Sequence, residues 1–299
     1  MTDDTHSDDN AYESLTDAHG GEERWAFGTG FDDPLAGVDT TVPAGVDAQA
    51  LGLQCLALGD DALVMSQRLA GWCSNAPELE DDVALANIAL DLLGQARLLL
   101  SRAAQADASL RPAGAPAHIP DEDALAYFRD PSGFRNVQLA EAADDGDFAL
   151  AIARLFVFAT WRLAQLTRLA GSPDPVLAAI ATKGATELTY HREYAAGWVV
   201  RLGDGTELSH LRMQDAVRWV WGYLPELFAG DELPVVLDAL RIEVHGVMSQ
   251  VLATATLAEP GQSGGVTGAV GREGNHTEAL TELLADLQAV ARAHPTATW

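Results

Sequence analysis

From residue 47 onward, apolar positions recur every three or four residues, the period of one face of an α-helix. Asp47 to Cys73 carries Leu53, Leu56, Leu63 and Val64 at that spacing, which predicts a first helix. Asn75-Ala-Pro77 reads as a turn, with Pro77 suited to the first position of the next helix. Glu78 to about Ala106 is a long helix with Leu85, Ala89, Leu92, Ala96 and Leu99 on one side. The Pro- and Ala-rich stretch 112–120 reads as a loop, and Asp121 to Phe128 as a short helix. Gly146 to Ala170 is apolar nearly all round, which places it at the centre of a bundle. Pro173 and Pro175 open a helix that reaches Leu202, and Gly203-Asp-Gly205 ends it. Further helices are expected over 209–229, rich in Trp and Tyr, and from Pro234 to about Ala258. Six glycines between Gly261 and Gly274 read as a flexible loop, and Asn275 or Thr277 can cap a last helix to about Ala293. No strand-like alternation appears. The expectation is an all-α antiparallel bundle of about seven helices, four of them central.

Residues 1–46 break this pattern. They hold eleven acidic residues against the single base Arg24, and they read as an acidic, disordered tail preceding a helical domain at 47–299. The aromatics Trp25, Phe27 and Phe31 are candidates for a small docking patch there, with a solvated tail the plainer reading.

Charge narrows the function. With Lys+Arg 18 and Asp+Glu 44, the net charge is −26, which disfavours nucleic acid and anionic membrane surfaces as partners. No apolar run of spanning length and no secretory leader is expected, so the chain is placed in the cytoplasm. Lys183 is the single lysine. A strongly acidic, lysine-poor surface is what a salt-rich cytoplasm favours, and an arginine-rich high-GC genome is the bland alternative. Cys55 and Cys73 cannot form a disulfide framework or a four-cysteine zinc site, and read as buried helix residues.

A large helical bundle raises the di-metal carboxylate site. That chemistry needs a Glu from each of two helices and a Glu-x-x-His from each of two others, so that carboxylate and imidazole share one face. The nearest matches fail informatively. Asp91-Leu-Leu-Gly94 has glycine where histidine belongs, and Glu187-Leu-Thr-Tyr190 has tyrosine there, with His191 one position late. The helix after Phe148 has no Asp or Glu. Neither catalytic residues nor metal ligands are therefore assigned.

Polar residues still sit on apolar stripes: Asp60 among Leu56, Leu63 and Val64; Asn87, Asp91 and Gln95 in one row; Lys183, Glu187, His191 and Tyr194 in another; and Arg154 inside the most apolar helix. Burying lone carboxylates costs several kcal/mol, roughly, unless cations or donors meet them. The expectation is a self-satisfied polar core in place of a metal pair, in which Lys183 and Arg154 neutralise Asp60, Asp91 and Glu187, with His191 in the same network. Trp219, Trp221 and Tyr223 are nominated for an interface, with core packing the competing role.

Several separated segments are similar to a known family. Ala57-Leu-Gly-Asp-Asp-Ala-Leu63, Gln67-Arg-Leu-Ala-Gly-Trp72, Leu85 to Arg97, Glu187 to His191 with Gly197-Trp198, Arg201 to Thr206, Gln262-Ser-Gly-Gly265 and His294 to Trp299 resemble the C-subunit family of the bacterial phenylacetyl-CoA epoxidases, also called phenylacetate-CoA oxygenases. The resemblance covers about 47–299 and omits the tail. It implies a ferritin-like fold within a multicomponent monooxygenase that epoxidises the aromatic ring of phenylacetyl-CoA, using O₂ and electrons from NADPH. It implies as partners a catalytic A subunit that carries the di-iron site, small bridging subunits, and a reductase with flavin and iron–sulfur centres. It implies no cofactor in this chain, whose role is structural. Two alternatives stand beside it: a di-iron carboxylate oxygenase with irregular ligands Asp60, Asp91, Glu187 and His191, and a stand-alone acidic helical binding module.

Overall fold

A computed structural model describes residues 35–229, 237–261 and 270–297. The chain divides into units 1–36 and 37–299, and the helices all belong to the second. Most of the expected tail, including Trp25, Phe27 and Phe31, lies outside the described residues.

The described residues form ten α-helices and no strand. Seven are long: α1 (Ala48–Ala70), α2 (Leu79–Ala106), α5 (Phe148–Leu169), α6 (Pro175–Gly203), α7 (Glu207–Trp221), α9 (Leu237–Thr254) and α10 (Glu278–Ala293). Three are short: α3 (Asp121–Tyr127), α4 (Gln138–Glu141) and α8 (Leu224–Leu227). Pairs α1/α2 and α5/α6 pack most extensively, and α2 meets α6 across the centre. This is the expected ferritin-like all-α bundle with four central helices.

Local chemistry sets the helix ends. Asp47, Asp147, Asp174 and Thr206 accept first-turn N–H groups of α1, α5, α6 and α7, satisfying donors that have no partner within the helix. Pro175 opens α6, where its missing N–H costs nothing. Pro77 does not open α2, which begins at Leu79; Asp82 instead takes the Ala76 N–H at 3.0 Å. Neither side chain nominated to cap α10 does so, and the Thr277 N–H goes to Glu141 Oε1 at 2.6 Å.

Several expectations need correction. Leu53, assigned to the buried face of α1, is 37% exposed. Cys73 is exposed in the turn after α1, and only Cys55 is buried. Among the described residues two helices are in fact long and apolar enough to span a membrane, contrary to the sequence reading, because Leu and Ala dilute their few charges. The α5 stretch is 94% buried, as a core helix must be, whereas the α2 stretch is only 44% buried. Residues 262–269 of the expected glycine-rich loop lie outside the described residues; after them Gly271–Glu273 makes a 3-10 turn, and Gly271 and Arg272 are buried.

Candidate functional site: the α2–α6 seam and the charged core

Helices α2 and α6 run antiparallel, and their polar rows meet. Gln95 Nε2 donates to Glu187 Oε2 at 2.9 Å, and one turn along, His191 Nε2 lies 2.9 Å from Asp91 Oδ2. The Tyr194 hydroxyl and the Trp198 indole N–H each donate to Asp81 Oδ1 at 2.9 Å. Burial and the hydrogen bond to Asp81 hold the Tyr194 phenol above its usual range. Lys183 pairs with Glu187 one turn away on α6. Gly184 permits the close approach, since a Cβ there would meet Leu166 Cδ1 at 2.7 Å and Gln95 Cδ at 3.2 Å.

Inside the seam sits a cation that the sequence reading missed. Arg162 on α5 is fully buried, donating Nε–H to Gln95 Oε1 at 3.1 Å and NH1 to the Leu58 carbonyl at 3.1 Å. Burial depresses its pKa to about 10, against the pull of Asp61 and Glu187. Gln95 therefore relays between Arg162 and the Lys183–Glu187 pair. The available signal was that Arg162 lies two turns beyond Arg154 on an otherwise apolar helix.

The nominated polar residues do not form one cluster. Lys183, Glu187, Asp91 and His191 share the seam. Asp60 is elsewhere: Arg129 grips it bidentately, with NH1 to Oδ2 at 2.9 Å, and the Arg135 N–H donates to Oδ2 at 2.8 Å. Arg154 meets neither Asp60, Asp91 nor Glu187. It donates to Asp144 Oδ2 at 2.8 Å and to the Ala142 carbonyl, both on the link between α4 and α5. The assignment of Arg154 to the seam carboxylates is thereby corrected, because its position on α5 points it at that link. Neighbouring Asp61 is held by Arg272 at 2.7 and 3.0 Å, and Asp174 by Arg102, with Nε at 3.2 Å. These buried arginine–carboxylate forks fasten loops to the bundle; their geometry satisfies charges that would otherwise be stranded.

The residue set does not fit a metal pair. Among the described residues no three His, Cys, Asp or Glu side chains converge as metal ligands. Gly94 and Tyr190, in the two histidine positions of the motif, both face outward: a Cβ on Gly94 would meet nothing within 4 Å, and Tyr190 is 68% exposed. The seam interior holds a guanidinium, whose charge repels cations.

Of the nominated interface aromatics, Trp221 is buried against His245, with ring centroids 6.0 Å apart. Trp219 and Tyr223 are half-buried and stack edge-to-face on each other at 5.5 Å. Exposed apolar residues lie at the start of α7, at Leu208 and Leu211, and on other helices. Leu79, Val83, Leu90 and Leu93 project from α2, and Tyr190 from α6.

Comparison with known proteins agrees with this architecture. A family model described as phenylacetic acid catabolic protein matches residues 38–299. The C subunit of the 1,2-phenylacetyl-CoA epoxidase from Escherichia coli (strain K12) is 42% identical over 253 residues, covering 82% of this chain and 97% of that protein. The match to the family model takes in every helix of the bundle and the seam it encloses, and the chain belongs to the phenylacetic acid catabolic protein family.

Proposed function

We propose that this chain is a non-catalytic, structural subunit of a multicomponent epoxidase that acts on phenylacetyl-CoA in the cytoplasm, in aerobic phenylacetate catabolism. A separate A subunit supplies the di-iron centre, a small subunit bridges the complex, and a reductase delivers electrons from NADPH through flavin and iron–sulfur centres. The carrying observation is Arg162, a buried guanidinium bound through Gln95 to Glu187 where a di-metal bundle would need converging carboxylates. A rigid, self-neutralised bundle is suited to packing against a catalytic one, whose ligands must be held to within roughly half an ångström.

The apolar stripe of α2 supports the same reading. A chain with a net charge of −26 leaves Leu79, Val83, Leu90 and Leu93 exposed along one helix. Between Val83 and Gln95 the only charge is Asp91, already engaged by His191. The occupant we assign to this stripe is a helix face of the di-iron subunit.

The test is metal content and assembly. The chain, purified alone from iron-replete cells, is expected to carry far less than one iron per chain and to form a stable complex with the other epoxidase subunits. Near-stoichiometric iron in the isolated chain would overturn the proposal in favour of an oxygenase with irregular ligands. A well-behaved chain that ignores those subunits would favour a stand-alone module.

A further inference from the structure

The segment 270–293 packs α10 against α1, α3 and α4 through the buried Leu280, Leu283 and Leu284, and polar groups fasten its first turns and its far face. Gln288 Nε2 donates to the carbonyls of Ala126 and Arg129, each at 3.0 Å, and Arg272 enters the core to reach Asp61. Gly271 and Gly274 make the fit possible. A Cβ on Gly271 would fall 2.1 Å from the Asn136 carbonyl oxygen, and Gly274, at φ +83°, would place one 2.5 Å from that of Ser132.

At the centre of this joint is His276, its side chain 3% exposed. Its Nδ1 lies 2.8 Å from Glu141 Oε2 and its Nε2 lies 3.0 Å from the Phe134 carbonyl. Glu141 faces it as an acceptor: Oε2 also takes the Asn136 side-chain amide at 2.9 Å, and Oε1 takes the Thr277 N–H at 2.6 Å. A neutral imidazole has a single N–H; only the imidazolium donates from both nitrogens. The geometry therefore assigns a proton to the closed joint.

A second proton-sensitive group lies alongside. Glu226 on α8, 1% exposed, takes the Gly271 N–H on Oε1 at 2.7 Å and the Gln138 N–H on Oε2 at 2.8 Å. The charged groups facing these two are Asp60 with Arg129 and Asp61 with Arg272 from the α1 side, Arg68 of α1, whose NH2 reaches the carbonyls of Glu141 and Ala279, Arg135 beside Gly274, and the Tyr223 phenol with Arg154 near Glu141 and Glu226. Arg272, fixed on Asp61, sets the register of the segment.

We propose that segment 270–293 is a proton-dependent strap, held shut by a His276 imidazolium on Glu141 and released from the bundle as the pH rises above neutral. The direction of both titrations agrees. Burial opposes charge on His276, but its bonds to Glu141 and Phe134 and the negative charge of Glu141 and Asp60 outweigh it, so its pKa is raised. Burial lifts Glu226 to about 7, against its two backbone donors and Arg272, with Asp61 adding to the rise. A group whose pKa is raised in the closed state stabilises that state fully below its open-state value, and loses the contribution as the pH climbs through the closed-state value. Both groups therefore weaken closure in the same direction.

Hydrogen–deuterium exchange of the full chain, corrected for intrinsic rates, tests this between pH 6.5 and 8.5. Protection of 270–293 relative to α5 is expected to fall by about tenfold over these two pH units, an average linkage of roughly half a proton. His276→Gln keeps a donor toward Glu141 but does not titrate, and it should flatten most of that dependence. Should the variant fold poorly, the His276 ring titration by NMR in the unaltered chain decides. A pKa above that of a free imidazole supports the strap. A ring neutral at pH 6.5, or a strap that exchanges in step with α5 at every pH, overturns it.

Discussion

Arg162 Nε, on α5, donates to Gln95 Oε1, on α2, at 3.1 Å inside the four-helix core. The two residues are 67 apart in sequence, and the contact puts a fixed positive charge where the bundle's carboxylate row turns inward. It also separates the two cations of the network by role: Arg162 is fully buried, while the Lys183 side chain is 40% exposed.

Arg162→Met should therefore cost about 2–4 kcal/mol in denaturant unfolding, because it removes the donor to Gln95 Oε1 and to the Leu58 carbonyl inside the core. Lys183→Met breaks a half-solvated pair and should cost less than about 1 kcal/mol. Equal losses for the two would mean that the lysine, not the arginine, neutralises the seam.

Restoring the missing histidines should not restore a metal site. Gly94→His with Tyr190→His recreates both carboxylate-x-x-His spacings, yet both positions face outward. Iron analysis of the double variant should match the unaltered chain. Uptake of two irons would mean that the seam can rotate to gather its ligands.

The α2 stripe can be separated from the core by charge. Val83→Glu and Leu90→Glu lie on exposed positions and should shift stability by no more than about 0.5 kcal/mol. Co-purification with the other epoxidase subunits should nonetheless be lost. Ile242→Glu, at the exposed Ile242 of α9, should leave assembly intact. Loss of assembly with Ile242→Glu alone would move the interface to α9.

The thiols should divide cleanly. Burial pushes the Cys55 thiol up to about 12, while Cys73 is exposed. A thiol reagent at pH 8 should modify one cysteine per native chain quickly and the second only on unfolding, read by mass spectrometry. Two fast thiols would place Cys55 at the surface.

Salt should stabilise the chain. Repulsion among 44 acidic side chains against 18 basic ones is screened as the Debye length falls from about 10 Å at 0.1 M to about 3 Å at 1 M. The melting temperature should rise steadily with KCl over this range. An indifferent melting curve would assign the lysine depletion to genome composition instead.

Much of this was legible along the chain. Helical periodicity placed the seven long helices, and Leu85, Ala89, Leu92, Ala96 and Leu99 all lie on the buried side of α2. The polar rows on α2 and α6 were visible as rows, since residues four apart share a helix face whatever lies opposite. The absence of Glu-x-x-His spacing was equally a local property.

Pairing was not local. Which cation meets Asp60, Asp61 or Asp144 depends on where the link 129–147 and the strap 270–293 come to rest, and periodicity carries no information about their short turns and connecting stretches. Arg129 and Arg272 sit in such segments, so their buried carboxylate partners could not be read from spacing. Arg162 was hidden for another reason. An arginine on a helix apolar all round looks like any interruption until the fold shows that its long side chain spans the core to Gln95. The sequence by itself determined the helices, their faces and the missing ligand motif, because these rest on contacts within a few residues. Only the tertiary structure decided which charges neutralise one another and which apolar face of α2 stays uncovered, because both depend on side chains brought together from far along the chain.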